Sequence, residues 1–178
     1  IEDPAQEGAK LLEEGKIIGW FQGRMEYGAR ALGNRSILAN PVFKGIKDRV
    51  NNEVKYRESW RPFCPSMIED VKNDYIENVD EASYMIVAYH AKESMKKNIG
   101  VVVHIDNTIR PQIVKQEVNP AFFSLISNLG KRTGHPVVLN TSFNIRGEPI
   151  ICSPLEAISC FYSNGLDALI MGNFLVKK

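Results

Sequence analysis

Cysteine and histidine are scarce in this chain, with three of each among 178 residues. Cys64, Cys152 and Cys160 are odd in number, widely spaced and lack CxxC pairing. That excludes a disulfide framework and a cysteine zinc site, and reads as buried thiols of a cytoplasmic protein. His90, His104 and His135 show no metal-ligand spacing, so no metal site is expected. Net charge is nearly absent too. Basic residues number 22 and acidic ones 21, leaving +1, so no global field draws the chain to nucleic acid or an anionic membrane. Any anion recognition has to be local. No apolar run approaches the roughly 18 residues of a membrane span, and no signal-peptide pattern opens the chain. A Walker loop and the GxGxxG dinucleotide fingerprint are both missing. The aromatic residues form no stripe on which single-stranded nucleic acid would stack.

What is present is concentrated. Residues 21–40, FQGRMEYGARALGNRSILAN, pack Arg24, Arg30 and Arg35 among Gly23, Gly28 and Gly33. Arginine binds oxyanions with a planar, permanently charged fork, and glycine lets backbone N–H groups approach the same anion. A salt-bridged surface loop is the alternative, because Glu26 can pair with Arg24 or Arg30. A second basic cluster holds Lys55, Arg57 and Arg61, interleaved with Tyr56 and Trp60. On a strand Lys55 and Arg57 would share one face, their repulsion relieved by an anion between them and Glu58 holding one in place. The alternative is a basic edge that protects a sheet from aggregation. Asn140-Thr-Ser-Phe-Asn144 follows a buried run and offers Ser142 and Asn144 on one side, with ordinary turn chemistry as the alternative. His104, Asp106 and Arg110 surround a further turn.

At 44% hydrophobic residues, the chain is long enough for one sizeable core and is expected to be a single domain, 1–178, excised from a longer protein. Residues 4–16 place Ala5, Ala9, Leu11 and Leu12 on a helical stripe with Asp3 as N-cap. Runs 17–21 and 36–39 are predicted strands, and 43–54 a helix with Phe43, Ile46, Val50 and Val54 on one face. Pro62 and Pro65 make 61–68 an edge or irregular strand. Residues 71–81 read as a short acidic helix and loop. Strands are predicted at 84–90 and 100–106 around a polar, mobile 92–98, with 109–114 returning as a hairpin partner. Asn119-Pro120 opens a helix that ends before Gly134, and 136–140 has the pattern of a fully buried strand. Ser153-Pro154 opens a last helix, stopped by Gly165, before strands at 168–171 and 174–176. Strands and helices interleave without a strict βαβ rhythm, which favours an α/β fold on a mixed sheet.

Four blocks carry a resemblance: QGRMEYGARALGNRSILAN, VNNEVKYRESWRPFCPSM, VVLNTSFNIRGEPI and GLDALIMGNFLVKK. In this order they resemble the C-terminal part of NodU/TobZ-type O-carbamoyltransferases over nearly the whole chain. That region is similar to the YrdC fold, a twisted mixed β-sheet with flanking helices and a basic cleft, shared with the maturation protein HypF and with threonylcarbamoyl-adenylate synthases. The K-x-R and S-x-N signatures of such domains match Lys55-Tyr-Arg57 and Ser142-Phe-Asn144. The resemblance implies that the domain binds ATP, with Mg²⁺, and carbamoyl phosphate, forms carbamoyl-adenylate and releases pyrophosphate. It implies Lys55, Arg57 and Arg30 as the catalytic cations. Ser142, Asn144, Asn140, Arg24, Arg110 and Arg61 are implied to bind the nucleotide or carbamoyl group. Arg35, at the entry to a strand, is expected to serve the fold.

The same resemblance implies a separate N-terminal domain of the actin-like ATPase type, whose histidines hold an iron-type metal and which passes the carbamoyl group to a hydroxyl. Ala29 stands where proline is common in the family, Asn40 where aspartate is common, and Asn107 where glycine is usual. Competing readings are a tRNA-related nucleic-acid-binding module, which the charge balance disfavours, a structural domain docking on the N-terminal partner, and an enzyme using threonine and bicarbonate as acyl source.

Overall fold

Alternating apolar side chains on short strands build a seven-stranded mixed sheet in a computed structural model describing residues 1–178. Its strands are β1 (Ile18–Phe21), β2 (Arg35–Ala39), β3 (Cys64–Ile68), β6 (Gln112–Val114), β7 (Val137–Ser142), β8 (Ala168–Met171) and β9 (Phe174–Lys177). Their order is β6-β3-β7-β2-β1-β8-β9. The β1/β8 and β3/β6 pairs are parallel and the other four are antiparallel. Two further strands, β4 (Tyr89–His90) and β5 (Thr108–Ile109), form a separate antiparallel ribbon.

Both faces of the main sheet are covered, which is why its central strands are buried throughout. One face carries Ile18, Trp20, Leu38, Val138 and Ile170 against α1 (Pro4–Glu13) and α5 (Pro120–Thr133). The other carries Ile37, Met67, Val137, Leu139 and Leu169 against α6 (Pro154–Tyr162) and the segments between β2 and β6. The caps legible in the sequence close these helices. Asp3 Oδ1 accepts from Ala5 and Gln6 N–H at 2.9 and 3.0 Å, and Asn119 Oδ1 accepts from Phe122 N–H at 3.1 Å. Ser153 and Glu156 form a capping box on α6.

Several expectations fail between β2 and β6. The helix predicted over 43–54 shrinks to α2 (Ile46–Arg49), which passes into a π-helical turn, Val50–Lys55. Ile46, Val50 and Val54 are buried as expected, but Phe43 precedes the helix and stays 38% exposed. The wider π spacing buries residues five apart, Val50 and Lys55, on one side. β3 is no edge strand, because it lies between β6 and β7. Pro62 precedes the strand, and β6 begins opposite Ser66, so Pro65 stands one residue beyond the β3–β6 ladder.

Only the end of the 84–90 strand forms, as β4. Residues 93–99 are α4 (Glu93–Ile99) rather than a mobile stretch, since Met95 and Ile99 lie four apart and pack into the core. The strand predicted over 100–106 is absent, and a 3-10 turn, Gly100–Val102, begins there. The 109–114 segment accordingly splits: β5 pairs with β4, and β6 joins β3. The short acidic helix forms as α3 (Lys72–Tyr75).

Candidate functional site

The C-terminal end of β7 and the loop between β1 and β2 face a cleft of about 230 Å³. Arg30, Arg57, Arg61 and Arg110 line it together with Asn140, Thr141 and Ser142, and no carboxylate does. Four guanidinium groups that converge with only one nearby counter-ion, Glu58 at 3.9 Å from Arg61, repel one another, and an oxyanion among them relieves that repulsion while accepting forked N–H bonds. The cleft can therefore accommodate an anion with several oxygens. It draws on five segments far apart in sequence, one of them supplying Met85, which only the fold assembles.

The loop that bears Arg30 is fastened at many points. Glu26 Oε1 accepts from the N–H groups of Leu32, Asn34 and Arg35 at 2.6, 2.8 and 3.3 Å. Trp20 Nε1 donates to the Gly33 carbonyl at 2.9 Å, and Gln112 Nε2 to the Leu32 carbonyl at 2.8 Å. Glu26 thus holds backbone, and not Arg24 or Arg30 as the alternative of a salt-bridged surface loop required. Arg35 is structural: its guanidinium donates to the carbonyls of Gln22, Asn34 and Gly23 and lies 3.5 Å from the centre of the Phe21 ring. Arg24 is exposed and lies off the cleft wall.

Lys55 and Arg57 do not share a strand face. Tyr56 between them adopts a left-handed conformation (φ 48°), which ends the π-helical turn and sends the two side chains to different partners. Lys55 turns inward. Its Nζ donates to the Asn144 carbonyl and Oδ1 at 2.8 and 2.7 Å, and to the Ser142 carbonyl at 3.0 Å. Ser142 Oγ donates in turn to Asn144 Oδ1 at 2.7 Å. The K-x-R and S-x-N pairs therefore meet directly, with Lys55 and Asn144 behind the cleft wall that Ser142 forms. Burial, and after it the Arg57 charge, lowers the Lys55 ammonium from its usual 10.5 to about 7.

Arg57 turns outward into the cleft, its guanidinium over the Phe63 ring at 4.4 Å. Its Nε donates to Asn51 Oδ1 at 2.7 Å, and burial pushes its own value down to about 10. Fully buried Asn51 also spans from its Nδ2 to the carbonyls of Ser59 and Arg61 at 3.3 and 3.5 Å, holding the arginine-bearing turn. Glu58 stands 3.9 Å from Arg61 and 3.7 Å from Arg146, so its partners are not Lys55 or Arg57. Nothing about residue type or spacing marked Asn51, which sits on the inner side of a helical turn.

Arg110 reaches the cleft from the far side of the turn at 104–108, where Nη2 lies 3.4 Å from Cys64 Sγ. Asn107 takes the left-handed conformation (φ 65°) that glycine would adopt there, and its N–H donates to the His104 carbonyl at 3.0 Å. Cys64 and Cys160 are buried, whereas Cys152 is exposed, against the expectation of three buried thiols. Asn140 is 2% exposed and belongs to a polar group under the cleft: its Nδ2 donates to the Ala31 carbonyl, Ser66 Oγ and Gln112 Oε1 at 3.1, 2.9 and 3.2 Å. Ser66 and Gln112, both buried on neighbouring strands, gave no sequence signal.

Residues 9–178 match the family model described as Carbamoyltransferase C-terminus. The chain is 44% identical over 180 residues to the nodulation protein NolNO of Sinorhizobium fredii, covering 99% of this chain and 26% of that protein. It is 33% identical to the 3'-hydroxymethylcephem-O-carbamoyltransferase of Amycolatopsis lactamdurans, covering 96% of this chain and 34% of that one. The chain thus spans about a quarter to a third of the length of these relatives. Among solved structures, full-length HypF in its phosphate- and nucleotide-bound form superimposes with a TM-score of 0.68 at 16% identity, over 96% of this chain and 25% of that one. Pyrococcus abyssi Sua5 complexed with L-threonine gives 0.64 at 14% identity, over 94% of this chain and 46% of that one. At these identities the likeness to the two structures is one of fold: the twisted mixed sheet of this chain is the YrdC/Sua5-like and HypF architecture.

Proposed function

The chain belongs to the carbamoyltransferase C-terminus family, and from that premise we propose that its arginine cleft binds ATP and carbamoyl phosphate and makes carbamoyl-adenylate from them, releasing phosphate and pyrophosphate. The observation that carries this reading is the convergence of Arg30, Arg57, Arg61 and Arg110 on one pocket beside the Lys55–Ser142–Asn144 contact.

In this reading water first cleaves carbamoyl phosphate to carbamate and inorganic phosphate; a carbamate oxygen then attacks the α-phosphorus of ATP, a new P–O bond forms, the bond to the β-phosphate oxygen breaks, and pyrophosphate leaves. Charge grows on the phosphate oxygens, so fixed cations give most of the help. Arg30, Arg57, Arg61 and Arg110 would hold the phosphates. Ser142 would turn its hydroxyl from Asn144 Oδ1 to the α-phosphate or carbamoyl group, and Lys55, bonded to both residues, would keep that wall in place. Carbamate attack needs no general base. The cleft walls offer no carboxylate to a cation, so Mg²⁺ would arrive as the counter-ion of the nucleotide. Arg24, exposed away from the cleft wall, would contact only the outer part of a long ligand.

Transfer to the final hydroxyl acceptor would fall to an N-terminal partner domain, and a reaction that uses ATP would run in the cytoplasm. The test is carbamoyl-phosphate-dependent release of pyrophosphate from ATP by the chain. Arg57→Ala should lower it about a hundredfold, the typical effect of removing one group that stabilises transition-state charge, and Lys55→Ala should lower it by freeing the wall that Ser142 forms. Unchanged release in both variants would sink the assignment of these residues.

A further inference from the structure

The arginine cleft, at about 230 Å³, is smaller than the roughly 300–1,000 Å³ typical of pockets for drug-sized ligands, so it can hold phosphates but not a whole nucleotide. A second pocket of about 390 Å³ lies beside it, with Tyr27, Leu32, Tyr84, Val114 and Val118 in its lining. Two pairs of consecutive residues divide the pockets. Ala31 and Met85 line the cleft, and their chain neighbours Leu32 and Tyr84, with Cα atoms about 3.8 Å away, line the second pocket. Gln112 stands in the same wall. It lines the second pocket, donates to the Leu32 carbonyl at 2.8 Å and accepts at 3.2 Å from Asn140, which lines the cleft. A ligand lying across this rim reaches both pockets.

The two pockets differ in chemistry as the two ends of a nucleotide do. Four guanidinium groups and no carboxylate line the cleft, whereas Glu26 and Glu81 line the second pocket with Lys115 as its one cation. Carboxylates repel phosphate but accept from hydroxyl and amino groups. Glu26 already spends one oxygen on three backbone amides, and Glu81 is exposed. Tyr27 stands wholly exposed and Tyr84 is 60% exposed, so both rings lack packing that a flat ligand ring supplies by stacking. We propose that the second pocket holds the nucleoside end of the nucleotide, its base packed on Tyr27 and Tyr84 and its ribose hydroxyls turned to Glu81. The triphosphate then crosses the rim to the arginines. The proposal rests on the functional reading above and adds two specificity residues to it, from the β1–β2 loop and from the segment before β4.

The experiment is calorimetric titration of the chain with ATP and, separately, methyl triphosphate, which carries the same charge without the nucleoside. The wild type should bind ATP at least about tenfold more tightly, the return of stacking one base on an aromatic ring. In the double variant Tyr27→Ala/Tyr84→Ala the two affinities should come together, through loss of ATP binding with methyl triphosphate unchanged. Both side chains stand out from the fold, so their removal leaves it intact. Tyr27→Phe/Tyr84→Phe keeps the rings and should restore the preference for ATP. Equal wild-type affinities would overturn the proposal while leaving the arginine cleft as a phosphate site, and so would a preference for ATP that persists in the double alanine variant. If the wild type binds neither compound, the functional reading falls and this proposal with it.

Discussion

Lys55 and Asn144, 89 residues apart, are joined twice: the Lys55 ammonium donates to the Asn144 carbonyl at 2.8 Å and to its side-chain oxygen at 2.7 Å. The contact ties the π-helical turn to the loop after β7. It also explains why two signatures far apart in sequence act as one feature. Lys55 is 6% exposed, so it acts on the cleft through Ser142 and Asn144 more than by its own reach.

That burial gives Lys55 a pH signature. Its folded-state value of about 7 lies below the 10.5 of an unperturbed lysine. Between these values the unfolded chain holds more proton than the folded one, so the Lys55 contribution to stability rises with pH across the window. Below about 7 both states are charged and the cost of burying the ammonium is borne in full. Denaturant unfolding of the wild type and Lys55→Met from pH 6 to 10 should show wild-type stability gaining on the variant as pH rises. Binding of pyrophosphate at pH 8 should take up proton, read as a dependence of the titration heat on the buffer, and at pH 6 should not. Parallel stability curves would show that Lys55 keeps its ordinary value.

Asn51 offers a second test, because it holds Arg57 without lining the cleft. Asn51→Ala leaves the Arg57 Nε and the Ser59 and Arg61 carbonyls without their partner. The expected cost is about 1–3 kcal/mol, that of orphaning buried polar groups. Because Arg57 would lose its fixed direction, the KM for ATP should rise together with the fall in stability. A variant that is destabilised yet binds ATP normally would show that Asn51 supports the core alone.

Glu26 should behave differently, since it supports the loop that bears Arg30. One carboxylate oxygen gathers three backbone N–H groups, so Glu26→Ala should cost about 2–3 kcal/mol. Hydrogen exchange should speed at Leu32, Asn34 and Arg35, the three amides it binds. Exchange unchanged at those amides would mean that the loop is held by Trp20 and Gln112.

Much of the sheet was legible because its evidence is local. Capping residues stand next to apolar runs at Asp3, Asn119 and Ser153, and the 136–140 run is apolar enough for a strand buried on both faces. Within 43–114, where β3, α3 and the burial of Ile46, Val50 and Val54 were expected, the rest was not legible for the opposite reason. Lys55 is buried by a π-helical turn that no 3.6-residue stripe announces, and α4 buries only Met95 and Ile99 within a polar sequence. β6 is placed by parallel pairing with β3 across a long connection, which short-range turn signals cannot encode. The cleft divides the same way. Its arginines declared themselves by charge and number, whereas Asn51, Ser66 and Gln112 work through geometry that only the folded chain creates.

Two glycines of the arginine loop separate backbone freedom from packing. Gly28 and Gly33 both have positive φ, 115° and 102°. A Cβ on Gly28 would meet nothing within 4 Å, so Gly28→Ala should cost only backbone strain, about 1–2 kcal/mol. At Gly33 a Cβ would stand 2.2 Å from the Phe122 ring, which is fully buried in the α1–α5 face of the core. Strain and overpacking then combine, and Gly33→Ala should lose about 3 kcal/mol or more. The Gly33 carbonyl also accepts from Trp20 Nε1 at 2.9 Å, so displacing this residue should disturb the indole as well as the loop. Thermal unfolding followed by tryptophan fluorescence reads both effects. Gly28→Ala should keep the wild-type emission with a small drop in Tm, whereas Gly33→Ala should shift the emission and lower Tm severalfold more. Equal losses in the two variants would mean that the loop, and not the Phe122 contact, sets the requirement for glycine.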